Sequence, residues 1–266
     1  MLNALRNLFR TEPATALAAV PADERVYAVG DIHGRLDLFA EMIRAIDQDD
    51  AVRGPARTTV ILLGDLIDRG PDSAGVVAAA RDWQRCRKVR IIAGNHEEML
   101  LLALQSEDVL RTFLRHGGRE TLMSYPIDPE VYAAADFAEV QALMHAAIPA
   151  ADFAFISAFE GAIRIGDYLF VHAGIAPGVP IEDQRENDLR WIREPFLSFP
   201  GDHGCIVVHG HTITEAPQLR PNRIGIDTGA FSSGRLTALV LEGTDRWLIE
   251  AQDADNQLTT STRSIA

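Results

Sequence analysis

Residues 64 to 70 read GDLIDRG and follow the apolar run Thr59 to Leu63. The run reads as a buried strand, and the heptapeptide sets the carboxylates of Asp65 and Asp68 and the guanidinium of Arg69 where that strand ends. Open α/β sheets build their sites on such loops, beyond the carboxyl ends of their strands. Taken alone, the stretch is also ordinary turn chemistry, because Gly-Asp and Arg-Gly pairs favour tight turns. Its neighbours decide the matter.

Upstream, Val26 to Val29 is a short β-rich run ending in Gly30-Asp31-Ile32-His33-Gly34-Arg35. Leu36, Phe39, Ala40, Ile43 and Ile46 then recur at helical spacing. Asp31 and His33 are two apart, so an extended chain sends both side chains from one face, and such a pair can grip one metal ion. Without context it reads equally as an N-cap beside a surface histidine. Downstream, Val76, Val77, Ala80 and Trp83 mark a helix. Lys88 to Ile92 is a third strand, ending in Ala93-Gly94-Asn95-His96-Glu97-Glu98 and a leucine-rich helix. Three successive strand ends thus deliver Asp31 and His33, Asp65 and Asp68, then Asn95 and His96. Right-handed crossovers bring these ends to one edge of a sheet.

From residue 106 to about 157 the character changes. Gly117-Gly118 and Pro126 punctuate this stretch, Asp128-Pro129 is an N-cap with a first-turn proline, and Pro149 is expected to stop the single helix so begun. None of the motifs falls here, so it reads as a helical insertion that caps or walls the site, with His116 and His145 as surface or packing residues rather than ligands. Strands resume at Ala162 to Ile165 and Tyr168 to Val171, a hairpin around Gly166-Asp167. The second of these ends in His172-Ala173-Gly174. Beyond the charged stretch with Trp191-Ile192-Arg193-Glu194, the run Cys205 to Val208 ends in His209-Gly210-His211-Thr212. Ile224 to Asp227 leads into Thr228-Gly229-Ala230, and two strands, Leu236 to Leu241 and Arg246 to Glu250, close the chain.

With 266 residues, 47% of them hydrophobic, the chain can bury one large core. Its 25 basic against 38 acidic side chains give a net charge of −13, which argues against a nucleic-acid backbone as partner. Cys86 and Cys205 have no metal-ligand spacing and suit a reducing cytoplasm. Met1 to Arg10 has the pattern of a short amphipathic helix, so residues 1–20 are read as an N-terminal extension and 21–266 as the domain. Thr11-Glu12-Pro13 interrupts any export signal, and no stretch approaches the length of a membrane span.

GDIHGR, GDLIDRG, GNHE, HAG and GHT, in this order over residues 30 to 212, resemble the phosphoprotein phosphatase family of binuclear metallophosphoesterases. The likeness is greatest to the compact bacterial and bacteriophage Ser/Thr protein phosphatases and extends to IDTGA near the end. It implies a calcineurin-like four-layer α/β/β/α sandwich with two mixed sheets. It further implies that Asp31, His33 and Asp65 hold one metal ion and that Asp65, Asn95, His172 and His211 hold a second. Two such ions would activate a shared water and clamp the phosphoryl oxygens. Mixed carboxylate, amide and imidazole donors without thiolate suit Mn²⁺, with Fe or Zn as alternatives.

By the same resemblance His96 is the general acid, oriented by Asp68, and Arg69 and Arg193 fork onto the phosphate with Asn95 beside them. Arg193 has a competing reading as a surface pair with Glu194. Related enzymes often carry a second histidine after the Gly-His motif, but here that place is Ile213, so His209 reads as packing, and Asp227 as structural. The expected activity is a protein Ser/Thr phosphatase acting on a phosphoprotein or phosphopeptide. Hydrolysis of diadenosine tetraphosphate is the alternative, although those enzymes typically have alanine or asparagine at the place of Asp68. A non-catalytic phosphate-binding or partner module is the third reading.

Overall fold

The computed structural model describes residues 17–254 and 257–265. The amphipathic stretch Met1 to Arg10 lies outside them. Eleven strands are present among the described residues. Six form one sheet in the order β11 (Gln257–Ile265), β10 (Asp245–Ala254), β9 (Arg235–Glu242), β1 (Glu24–Val29), β2 (Arg57–Leu62), β3 (Val89–Ile91). Five form the other: β4 (Ala162–Ile165), β5 (Tyr168–Val171), β6 (Ile206–His209), β8 (Arg223–Gly225), β7 (Gln218–Leu219). Each sheet is mixed. In the first, β1, β2 and β3 are parallel and β9 joins β1 antiparallel; in the second, β5, β6 and β8 are parallel between antiparallel edges.

The layering follows from alternation along the strands. Successive side chains of a strand point to opposite faces. On β1 and β2, Tyr27, Val29, Val60 and Leu62 pack against helices α1 (Leu36–Val52) and α2 (Ser73–Cys86). Val26, Ala28, Ile61 and Leu63 face the second sheet and meet its Tyr168, Phe170, Ile206 and Val208. The opposite alternation, Leu169, Val171 and Val207, meets Leu189 and Phe196, with Leu189 on the short helix α9 (Glu186–Trp191). Both sheets are thus covered on both faces, which is why their central strands are unbroken apolar runs. The result is the α/β/β/α sandwich.

Several local expectations are corrected. The helix begun at Pro129 does not run to Pro149: it stops at Ala134, and a second one spans Phe137–Ala147. Asp136 starts the latter with a capping box, its side chain accepting from Glu139 N while Glu139 accepts from Asp136 N. Gly117-Gly118 punctuates the stretch as a π-helical turn, with Gly117 at φ 104°, between α4 (Glu107–Phe113) and α5 (Arg119–Ser124). The chain closes with three strands rather than two. β11 is an exposed edge whose Thr- and Ser-rich sequence carries almost no apolar signal. Ahead of β1, Val20 N donates to Gly243 O and Asp167 N to Ala19 O. No single helix among the described residues is long and apolar enough to cross a membrane.

Candidate metal centre

Five loops, each following a parallel strand, meet at one edge of the sandwich. β1 leads to Asp31 and His33, β2 to Asp65, Asp68 and Arg69, and β3 to Asn95 and His96 at the start of α3 (Asn95–Ala103). From the second sheet, β5 leads to His172 and β6 to His211. All of these except Arg69 are buried. Asp31 and His33 do not share the face of an extended chain as expected, because β1 stops at Val29 and His33 turns at φ 47°. Glycine allows the close approaches. A Cβ on Gly94 would lie 2.1 Å from Asp65 Oδ1, and one on Gly210 would lie 2.0 Å from Asp31 Oδ1.

The hydrogen bonds fix which atoms face inward. His33 Nδ1 lies 2.7 Å from Ile67 O and His172 Nδ1 lies 2.8 Å from Leu63 O, so both rings place their proton there. Their Nε2 lone pairs then face Asp65 Oδ2, at 3.6 and 3.4 Å. Asn95 Oδ1 and His211 Nδ1 close on the same His172 Nε2, at 3.0 and 3.2 Å. His33, Asp65 and His96 form one compact group of donor atoms, and Asp65, His172 and His211 form another. Asp65 belongs to both. Asp31 is in neither group, because its carboxylate is turned onto His211 N at 3.0 Å.

Charges follow the crowding. Burial pushes the His33 and His211 imidazoles down to about 3, leaving them neutral. Burial opposes ionisation of Asp65, but the facing His172 and His96 imidazoles outweigh it and hold the carboxyl well below the carboxylate range. Asp31 is pushed well above that range by burial and by its neighbours Asp227 and Asp65. Asp227 is likewise raised by burial, and it accepts from Gly229 N at 2.9 Å.

Residues 24–230 match the calcineurin-like phosphoesterase family. The chain belongs to this family. It is 30% identical, over 80% of its own length and 89% of the relative's, to a serine/threonine-protein phosphatase 1 of Salmonella typhimurium. It is also 27% identical, over 79% and 88%, to an asymmetrical bis(5'-nucleosyl)-tetraphosphatase of Anoxybacillus flavithermus. A solved structure provisionally assigned as a diadenosine tetraphosphatase covers 92% of this chain and 98% of its own, with a TM-score of 0.61 and 21% identity, a likeness of fold.

Calcineurin-like phosphoesterases work with divalent metal ions, and the donors here fit such ions. Asn95 Oδ1, His211 Nδ1 and Asp65 Oδ2 all crowd His172 Nε2, more polar atoms than a single ring proton could bond, and His211 Nε2 is buried without any partner. Unpaired acceptors in such contact are costly unless a cation lies among them. The donor set is oxygen and imidazole throughout.

Beside this cluster, His96 Nδ1 lies 2.6 Å from Asp68 Oδ2, and the imidazole pKa is raised because Asp65 and Asp68 outweigh burial. Arg69 turns its Nη1 to His33 Nε2 at 2.8 Å and its Nη2 to His96 Nε2 at 2.9 Å, with its guanidinium over the Phe231 ring. Arg193 is exposed and near enough to His211 for its charge to depress that imidazole. Glu194, its expected partner, bonds Ser198 instead. His209 is buried against Phe196, and burial holds it down to about 4. His116 and His145 are exposed and belong to neither donor group.

Two contributors were not read from the sequence. Glu97 is buried and accepts from Gly94 N, Asp65 N and Leu66 N at 2.9, 3.0 and 2.8 Å, stitching the second and third loops together. Burial and the nearby Asp65 raise it to about 7 even so. Its place in GNHE was the available signal. Thr121, in α5 of the insertion, bonds Asp68 and has no motif at all.

Proposed function

We propose that the chain is a metal-dependent phosphomonoesterase, specifically a protein phosphatase acting on phosphoserine and phosphothreonine. The buried pair of Asp68 and His96 carries this reading. With Nδ1 bound to Asp68, the ring turns Nε2 into the cluster, where it can hand a proton to the leaving oxygen of a monoester. Bound divalent ions, Mn²⁺ first among the candidates, supply a nucleophile at neutral pH and neutralise the phosphoryl oxygens. Asp31, His33 and Asp65 would hold one ion, and Asp65, Asn95, His172 and His211 the other. Arg69 and Arg193 then grip the remaining phosphate oxygens. For Arg69 this means exchanging both His33 Nε2 and His96 Nε2 for the phosphate, which frees His96 Nε2 to carry the proton. Two free cysteines support a reducing, cytoplasmic setting.

Relatives that are bis(5'-nucleosyl)-tetraphosphatases support a second reading on the same centre, hydrolysis of a dinucleoside polyphosphate. The deciding experiment gives the Mn²⁺-loaded protein a phosphothreonine peptide and diadenosine tetraphosphate in parallel. A much higher kcat/KM on the peptide is the expected result. Preference for the dinucleotide would replace the first reading with the second.

A further inference from the structure

The loop between β2 and α2 is the most strained corner of the site. Asp68 and Arg69 are adjacent non-glycine residues in the left-handed region, at φ 73° and 68°. Such a corner persists only when its surroundings hold it. Much of what holds it comes from the insertion: Arg69 N donates to Gly117 O at 3.1 Å, and Asp68 N donates to Thr121 Oγ1 at 2.9 Å, while Ser73 Oγ of α2 accepts from the same Asp68 N at 3.0 Å. Ala74 N, at the start of α2, donates to Ser124 Oγ at 3.0 Å.

Thr121 does more than accept. Its hydroxyl proton goes to Asp68 Oδ1 at 2.6 Å, while Asp68 Oδ2 faces His96 Nδ1 at the same distance. Thr121, Ser73 and Asp68 have no solvent exposure, and His96 has almost none. Both carboxylate oxygens are therefore engaged, one by each partner, and the plane of the carboxylate cannot turn. The ring of His96 is oriented in consequence. A water could not readily replace the hydroxyl, because the site is closed.

We infer that Thr121 is a positioning residue for the reaction, holding the Asp68 carboxylate so that His96 keeps its proton aimed at the leaving oxygen. The inference rests on the reading of His96 as general acid. It gives the insertion a chemical role, as a brace behind the acid.

A positioning role of this kind has a signature that general destabilisation lacks. Alkoxide leaving groups need the proton, whereas a nitrophenolate departs without it. The test compares the metal-loaded full chain and its Thr121→Val and Thr121→Ser variants on a phosphothreonine peptide and on p-nitrophenyl phosphate. Thr121→Val should lower kcat on the peptide by about 10- to 100-fold with KM nearly unchanged, and kcat on the aryl ester by less than about 3-fold. Thr121→Ser should recover most of the loss. Equal losses on both substrates, or no recovery with serine, would overturn the inference. If Thr121→Val is not recovered folded, Thr121→Ala is read in the same assays. His96→Asn separates the two levels of the argument. Should it show the leaving-group dependence while Thr121→Val does not, only the role of Thr121 fails. Should His96→Asn show none, the general-acid reading fails with it.

Discussion

The two ends of β1 carry opposite solutions to the burial of charge. At its amino end, the fully buried Arg25 spends its guanidinium on Glu242 through Nε and Nη2, both at 2.9 Å, and on Asp50 through Nη1 at 2.7 Å. Asp50 is also bonded by Thr58 and Arg87, and Tyr27 donates to Asp49. At the carboxyl end, Asp31 and His33 join a cluster in which carboxylates and imidazole lone pairs face one another. Backbone strain follows the same division. Of the six non-glycine residues with positive φ among the described residues, His33, Asp65, Asp68, Arg69 and His211 belong to the site. Matched charges at one end serve stability, and mismatched ones at the other are kept for chemistry.

Breaking the mismatched end should abolish activity without harming the fold. Asp65→Asn removes the carboxylate common to both donor groups, and we expect activity to fall by about three orders of magnitude or more, with the metal content reduced at both positions. Elemental analysis and thermal melting read this out, and a variant that still holds two ions would refute the shared ligand. His96→Asn should lower kcat by about two to four orders of magnitude and leave metal content intact, as for a lost acid. Unchanged kcat would remove His96 from that role.

The matched end should respond in reverse. Arg25→Met removes the partner of Glu242 and leaves Asp50 to Thr58 and Arg87, and should cost about 2–3 kcal/mol in urea unfolding, below the usual cost of a broken buried pair because both carboxylates reach solvent. The kcat of the folded fraction should stay near the wild-type value. The smallest effect is on pH dependence. Burial opposes ionisation of Asp50, but Thr58, Arg25 and Arg87 hold its pKa below the ordinary value. A carboxyl depressed in the folded state adds stability above its unfolded pKa, about 4, and loses it as pH falls through the folded value. Relative to Asp50→Asn, the wild type should therefore lose stability on acidification below about pH 4, by a small amount because solvent screens the group. Parallel curves for the two proteins would count against this.

The same contrast explains what the sequence let through. The site's residues are legible because each loop needs particular donors next to glycines that let them approach, so the chemistry is written in contiguous words such as GDLIDRG and GNHE. The early strand and helix alternation is legible because both sheets are buried on two faces. Thr121 is not, since it reaches Asp68 across 53 residues and nothing local marks it. Arg25 is equally silent, its partner Glu242 lying 217 residues away. The break at Asp136 carried its capping signal, Asp136 with Glu139, but the apolar spacing of Val131, Ala135 and Val140 runs across it. β11 pairs only with β10 and buries little, so no apolar period announces it.

The mismatched end of β1 should be half of a binuclear metal centre. Titration of the metal-free protein with Mn²⁺, followed by calorimetry and elemental analysis, tests it most directly. Two ions per chain are expected, with a melting temperature that rises with occupancy, and one ion or fewer in Asp65→Asn. Saturation of the wild-type chain without bound metal, or two ions retained in Asp65→Asn, would contradict it.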